Sequence, residues 1–172
     1  MNAPHDPPSF PLQQHFGFTV QSERGRATAT LELDDRHMNP NSVSHGAVAF
    51  TLMDTAMGAA TMSVVDEGCH CATIEIHTRF HRAARSGRLH AEAKILHAGR
   101  QIVHLQATTH DDTGRLVASA TGTFAIIRPG PIVAGAFHPY MEYRERLARG
   151  ESVEIDYGHP ELAPLLEHCL GE

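Results

Sequence analysis

A chain of 172 residues, 41% hydrophobic and 20% charged, has the makeup of one globular domain with a sizeable core, which excludes a disordered or fibrous protein. A formal charge of −6 excludes a nucleic-acid surface built on bulk positive charge. Fourteen histidines make that charge sensitive to pH, because free imidazole titrates at about pH 6.5.

Residues 1–16 carry prolines at 4, 7, 8 and 11 and little other pattern, so they read as an N-terminal arm holding at most a short helix. The opening MNAPHDPPSF has no basic or apolar region of the signal-peptide kind, which points to the cytoplasm. At 26–33, Ala27, Ala29, Leu31 and Leu33 alternate with Thr28, Thr30 and Glu32, the period of a half-buried strand. Residues 34–43 are a loop rich in Asn, Asp and Pro. Residues 44–65, SHGAVAFTLMDTAMGAATMSVV, then hold one charged side chain, Asp54. They predict a helix of about five turns that Glu67-Gly68 ends. Its length approaches the roughly 20 apolar residues of a membrane span, but Asp54 at the centre and the many small residues assign it to the interior of a soluble protein.

Four strand-like runs follow. In 71–81, Ile74, Ile76 and Phe80 share one face, with Thr73, Glu75, His77, Arg79 and His81 on the other. Residues 88–97 group Leu89, Ala91, Ala93 and Ile95; residues 101–111 group Val103, Leu105 and Ala107; residues 116–127 close the set. The turns Ala98-Gly99-Arg100 and Asp112-Thr113-Gly114 are short, so the runs predict an antiparallel meander. A helix apolar on nearly all sides has to be wrapped. The expected architecture is α+β: a long central helix inside a curved antiparallel sheet, with a partner subunit covering what the sheet leaves open. Arg128-Pro129-Gly130-Pro131 ends this unit, giving a domain at 17–129 and a C-terminal extension at 130–172 with weak helical patterns at 140–148 and 161–170 and no assigned role. Of the three cysteines, Cys69 and Cys71 form a C-x-C that lacks redox or zinc spacing, and Cys169 stands alone, so all three read as idle thiols.

Asp54 has two readings: a structural carboxylate paired with a cation or at a subunit contact, or a general base or nucleophile in a cleft dry enough to raise its pKa. The residues before the helix favour chemistry. Asn39, His45 and Gly46 feed its first turn, where free N–H groups and the positive dipole end could hold a carbonyl oxygen gaining negative charge. Gly46 would let a ligand approach the backbone. Eight residues separate Gly46 from Asp54, about 12 Å along a helix, too far for one reacting centre. A two-fold partner could bring its Asp54 to the first subunit's Gly46.

The segment N39-PNSVS-H45-G46-A47-VAFTLM-D54-TA resembles the signature of the hotdog-fold acyl-CoA thioesterases of the phenylacetate-degradation type: an Asn, a loop, His-Gly-Gly, then an Asp within the central helix. TIEIHTRFHRAARSGRLHAEAKILHAGR and DTGRLVASATGTFAI are similar to that family's later strands and turns, and the resemblance covers roughly residues 17–128. It implies a hotdog fold and hydrolysis of a small or medium, aryl or aliphatic, acyl-CoA thioester. Asp54 would be the base that activates water or the attacking carboxylate, the Gly46 N–H would polarise the carbonyl, Asn39 would help place carbonyl or water, His45 would shape the turn, and Thr73 would assist the water. The site would straddle the interface of a homodimer or a dimer of dimers. No metal or cofactor is implied, coenzyme A being part of the substrate. Two positions depart from the pattern: the second Gly of His-Gly-Gly is Ala47, beside the carbonyl site, and the usual Gly three residues after the Asn is Ser42.

Arg82 and Arg100 are candidates for the coenzyme A phosphates, ahead of Arg79 and Arg85, because the planar guanidinium matches phosphate. The histidines of the later strands show no metal-ligand spacing and read as surface or interface groups. No G-x-S-x-G, Walker A or dinucleotide motif is present, so neither a serine hydrolase of the α/β type nor a nucleotide-binding fold is indicated. Two rival readings stand: a non-catalytic acyl-CoA or small-ligand binding module, and an enoyl-CoA hydratase. The second wants an Asp/His pair in a different arrangement.

Overall fold

The computed structural model describes residues 9–128. The extension, with its two helical patterns and Cys169, lies outside the described residues, as do residues 1–8 of the arm. A short helix α1 (Pro11–Phe16) precedes strands β1 (Thr19–Glu23) and β2 (Arg26–Glu32). The central helix α2 (Gly46–Met62) follows, then β3 (His70–Phe80), β4 (Arg88–Ala98), β5 (Ile102–Asp111) and β6 (Leu116–Ile127). Six of these, α2 and β2 to β6, match the expected helix and strands to within a few residues at the ends. β1 is an addition. Val20 is its one buried residue, and it is a strand because the turn at Gly25, with φ +76°, folds it back onto β2.

The six strands form one antiparallel sheet in the order β1-β2-β4-β5-β6-β3. This corrects the four-strand meander. Of those four, only β4, β5 and β6 follow one another as neighbours, while β3 lies at the far edge beside β6. The physical reason is the helix. α2 packs against all six strands, and a sheet that must enclose a helix places the strand following it on one flank and the remainder on the other. Residues 81–87 carry the chain between flanks across the N-terminal end of α2. Val117's carbonyl accepts from the His81 and Arg82 N–H groups (2.8 and 3.2 Å), and Ala84's accepts from Ser44 N–H at 2.7 Å.

The core sits between α2 and the inner face of the sheet. Leu52, Met53, Ala56, Met57 and Ala60 of α2 are fully buried, against Ala29, Leu31, Leu89, Ala91, Val103, Leu105, Ala118 and Phe124. Alternate small residues let the helix approach the sheet backbone closely. The far end of α2 is tied by Ser63, whose Oγ accepts the Gly25 N–H (2.8 Å) and donates to the Ala60 carbonyl (2.6 Å).

A bulge between Thr73 and Glu75 breaks the period of β3. It corrects the expected faces. Thr73 turns to the helix side, Glu75 and His77 face outward, and Ile74 at the bulge is 56% exposed. Among the described residues β3 has one neighbouring strand, which leaves its outer edge open along its 11 residues.

At the β5–β6 turn, Asp111 accepts from the Thr113 hydroxyl, from the Thr113 and Arg115 N–H groups and from the Arg115 guanidinium. The Thr113 hydroxyl foremost, then the Arg115 backbone, holds its carboxyl well below the usual range. A depressed folded pKa means stability present above the ordinary carboxylate value and lost as pH falls below it. Acid unfolding monitored by circular dichroism is therefore expected to show a decline below about pH 4 that Asp111→Asn flattens. A second test addresses the helix–sheet contact. A Cβ at Gly122 would stand 2.7 Å from Met57 Sδ and 3.3 Å from the Glu75 carbonyl oxygen, so Gly122→Ala is expected to cost about 1–3 kcal/mol in urea unfolding, as overpacking does.

Candidate active site

The start of α2 is built by the loop before it. Asn39 folds that loop: its Oδ1 accepts from the Asn41 and Val43 N–H groups (2.9 and 3.4 Å), its own N–H donates to the Val43 carbonyl (2.8 Å), and its carbonyl accepts from Ser42 N–H (2.9 Å). With the oxygen engaged by backbone, the Nδ2 amide is the part of Asn39 left to meet a ligand. Ser42 sits at φ +54°. This gives the family's usual glycine there a reason, since the turn demands a left-handed residue and serine accepts it at a cost.

His45 is the N-cap of α2, and its Nδ1 accepts the Ala47 N–H at 3.0 Å. Its carbonyl accepts the Val48 N–H at 2.9 Å. Among the described residues the Gly46 N–H has no acceptor. The first turn therefore offers one backbone donor, at Gly46, while the Ala47 N–H, expected to be available to a substrate, is occupied by the imidazole. The Phe80 ring lies over Gly46: a Cβ there would be 3.1 Å from Phe80 Cζ, and the ring itself is 57% exposed.

Two turns on, Asp54 is half-buried and stands on the side of the helix facing β3. Thr73 Oγ1 donates to Asp54 Oδ1 at 2.9 Å. The β3 bulge makes this bond possible by turning Thr73 to the helix. The hydroxyl fixes the carboxylate's rotation and leaves Oδ2 for another partner. Beside them Cys71 packs on Gly58. Burial first, and the Asp54 charge second, push its thiol up to about 11.

The structure thus brings Asn39, His45, Gly46 and Phe80 together at one end of α2, and Asp54 with Thr73 and Cys71 in its middle. It does not bring Gly46 and Asp54 of one chain together, the eight residues between them spanning about 12 Å of helix. Nor does it unite the two arginines. Arg82 is bonded to the start of β6, its Nη1 donating to the Leu116 carbonyl (3.1 Å), whereas the Arg100 carbonyl receives Arg128 Nη1 (2.7 Å) just beyond the other end of β6. Those ends lie 11 residues apart, roughly 36 Å at strand rise. Two open depressions, about 280 and 170 Å³, lie instead around Arg26 and Glu92 on the outer sheet face. Their lining is made of strand side chains, Glu23 and Glu92 among them, and neither Asp54 nor Gly46 takes part in it. Among the described residues no three His, Cys, Asp or Glu side chains converge as a metal site, and no helix is long and apolar enough to cross a membrane. Residues missed in the sequence are Phe80, read there only as a strand hydrophobe, and His37, a buried residue of the loop. The Asp34-x-x-His37 spacing of a capping box was the signal for His37.

Comparison with known proteins places this geometry in context. A family model described as the thioesterase superfamily matches residues 41–118. The chain is similar to the proofreading thioesterase EntH of Klebsiella pneumoniae, 29% identical over 102 residues that cover 59% of this chain and 74% of that protein. Among solved structures it is similar to the conserved protein PA5202 of Pseudomonas aeruginosa, with 31% identity, a TM-score of 0.65 and 67% of this chain and 93% of that one covered. It is also similar to the BH2602 protein of Bacillus halodurans, solved with CoA, with 28% identity, a TM-score of 0.65 and 69% and 80% covered.

The left-handed position makes a specific prediction. Ser42→Gly removes the Cβ strain and is expected to raise unfolding free energy by about 0.5–1 kcal/mol in denaturant titration. Ser42→Val, β-branched at the same φ, is expected to lower it by more than about 1 kcal/mol.

Proposed function

From its membership of the thioesterase superfamily, as a hotdog-fold thioester hydrolase, we infer that this chain hydrolyses a small or medium acyl-CoA, aryl or aliphatic, to the free acid and CoA. The observation that carries the site assignment is the state of the α2 start: the Ala47 and Val48 N–H groups are taken by His45, leaving the Gly46 N–H to the substrate. The thioester carbonyl oxygen accepts from Gly46 N–H, with the Asn39 amide steadying carbonyl or water. As charge moves onto that oxygen, the fixed donor and the helix dipole stabilise it. Asp54 takes a proton from the attacking water, or attacks the carbonyl itself; Thr73 holds Oδ1 and leaves Oδ2 for that step. The tetrahedral carbon then expels the thiolate, which leaves as CoA once protonated; on the water route the acid departs directly, and where Asp54 attacked, water cleaves the resulting anhydride, freeing the acid and returning the carboxylate.

The distance between Gly46 and Asp54 requires a second copy of the chain. The open β3 edge and the exposed Ile74, Phe80 and Phe50 near it suit a two-fold interface, giving a dimer or a dimer of dimers. Arg82 stands at the Gly46 end, where it could meet a CoA phosphate; Arg100 of the same chain is too far to share that phosphate and would serve another site. The reaction calls for no cofactor, and an acyl-CoA substrate fits a cytoplasmic enzyme.

The test is release of free thiol from a panel of aryl and aliphatic acyl-CoAs. Wild type is expected to turn over at least one member, with Asp54→Asn lower by about a hundredfold or more, as loss of a general base predicts. Thr73→Val is expected to lose about three- to tenfold, because the carboxylate keeps its place but not its orientation. A wild type that binds acyl-CoA without hydrolysing it, or an Asp54→Asn variant of equal rate, would overturn this reading in favour of a binding module or a different reaction.

A further inference from the structure

His37 takes no part in the chemistry above, yet it is the one fully buried histidine among the described residues, 3% exposed. Both ring nitrogens are engaged. Nδ1 accepts the Asp34 N–H (3.0 Å), and Nε2 lies 2.9 Å from the Phe16 carbonyl oxygen at the end of α1. A carbonyl cannot donate, so Nε2 carries the proton and Nδ1 a lone pair. The main chain of His37 reaches the other way: its carbonyl accepts the N–H of His45, the cap of α2, at 2.8 Å. Between these two residues Met38 bridges Ser44 and the Asn39 N–H meets the Val43 carbonyl, so the loop is bonded shut on itself. Orientation of the Gly46 N–H therefore passes through the His45 backbone to His37, and through its ring to α1 and Asp34.

We propose that His37 is a positioning residue for thioester hydrolysis, anchoring through its buried imidazole the loop that aims the Gly46 N–H at the thioester carbonyl. This rests on the reading of Gly46 as the carbonyl donor. The Asp34 carboxylate also faces the ring, Oδ1 being 3.1 Å from Nδ1. That carboxylate is gripped by Arg36 through Nε and Nη2, while Arg36 Nη1 donates to the carbonyl of His15 on α1. The ring, the carboxylate and the guanidinium therefore tie the loop to the end of α1 at two points.

Steady-state kinetics of the full-length wild type, His37→Phe and His37→Gln, with rates normalised to folded protein, test this. Phenylalanine keeps the shape and loses both bonds; kcat is expected to fall about tenfold or more with KM within about twofold, because the donor acts mainly in the transition state. Glutamine can accept from Asp34 and donate to Phe16, so it is expected to restore most of kcat. A folded His37→Phe with wild-type kcat overturns the proposal, and so does a folded His37→Gln whose kcat falls as far as that of His37→Phe. Should His37→Phe not fold, His37→Met, which also keeps bulk and makes neither bond, is read by the same criteria. An inactive wild type fails the underlying reading and this one with it; an active wild type that Asp54→Asn silences, but that His37 variants leave unchanged, fails this proposal only.

Discussion

The rest of the structure depends on one constraint: a helix with apolar residues on nearly every side must be removed from water within a single domain. Burying a Leu- or Met-sized side chain is worth about 1.5–3 kcal/mol, and α2 places Leu52, Met53 and Met57 beyond reach of solvent. The sheet provides this by touching the helix with all six strands. Wrapping dictates the strand order, because the strand that leaves the helix has to close one flank before the chain crosses to the other. It also dictates the alanines of β2, β4, β5 and β6, since bulk there would hold the helix away.

The same constraint produces the candidate site. Wrapping stops at β3, and the strip of helix beside that strand stays half-covered. Asp54 lies on that strip, which reconciles a carboxylate with the most apolar segment of the chain: it stands where the wrapping ends. The bulge in β3 adds the second element. One extra residue turns Thr73 toward the carboxylate, so a local irregularity of the sheet supplies the hydroxyl that orients it. At the helix start the economy is similar. One imidazole caps the turn and, by occupying the Ala47 N–H, narrows the donors offered to a substrate to a single one.

Much of this was legible in the sequence, and for physical reasons. Long strands with clean alternation, such as 88–97 and 101–111, declare themselves because one face is buried and the other wet. The spacing of Asn39, His45, Gly46 and Asp54 is local information and survived as geometry at the helix start. What was not legible is non-local. β1 has one buried residue and exists because β2 offers it an edge. The pairing of β3 with β6 depends on the helix between flanks, which short turns elsewhere cannot reveal. The faces of β3 were misread for a related reason, since an alternating pattern carries straight through Ile74 while the backbone does not. Arg82 and Arg100 looked alike as loop arginines, and only the strand between them separates their ends of the sheet. His37 was hidden because its burial depends on α1: its ring meets the carbonyl of Phe16, 21 residues away, while only the Asp34 contact is local.

Cys71 gives this arrangement a chemical immunity. A thioester hydrolase generates a free thiol at every turnover, and thiols in the presence of an oxidant form mixed disulfides with any nearby cysteine that ionises. With its thiol pushed up to about 11, Cys71 stays overwhelmingly protonated at neutral pH, and it is the thiolate that attacks. Burial against Gly58, and then the charge of Asp54, which raise it, keep a cysteine beside the candidate carboxylate from becoming a trap for product.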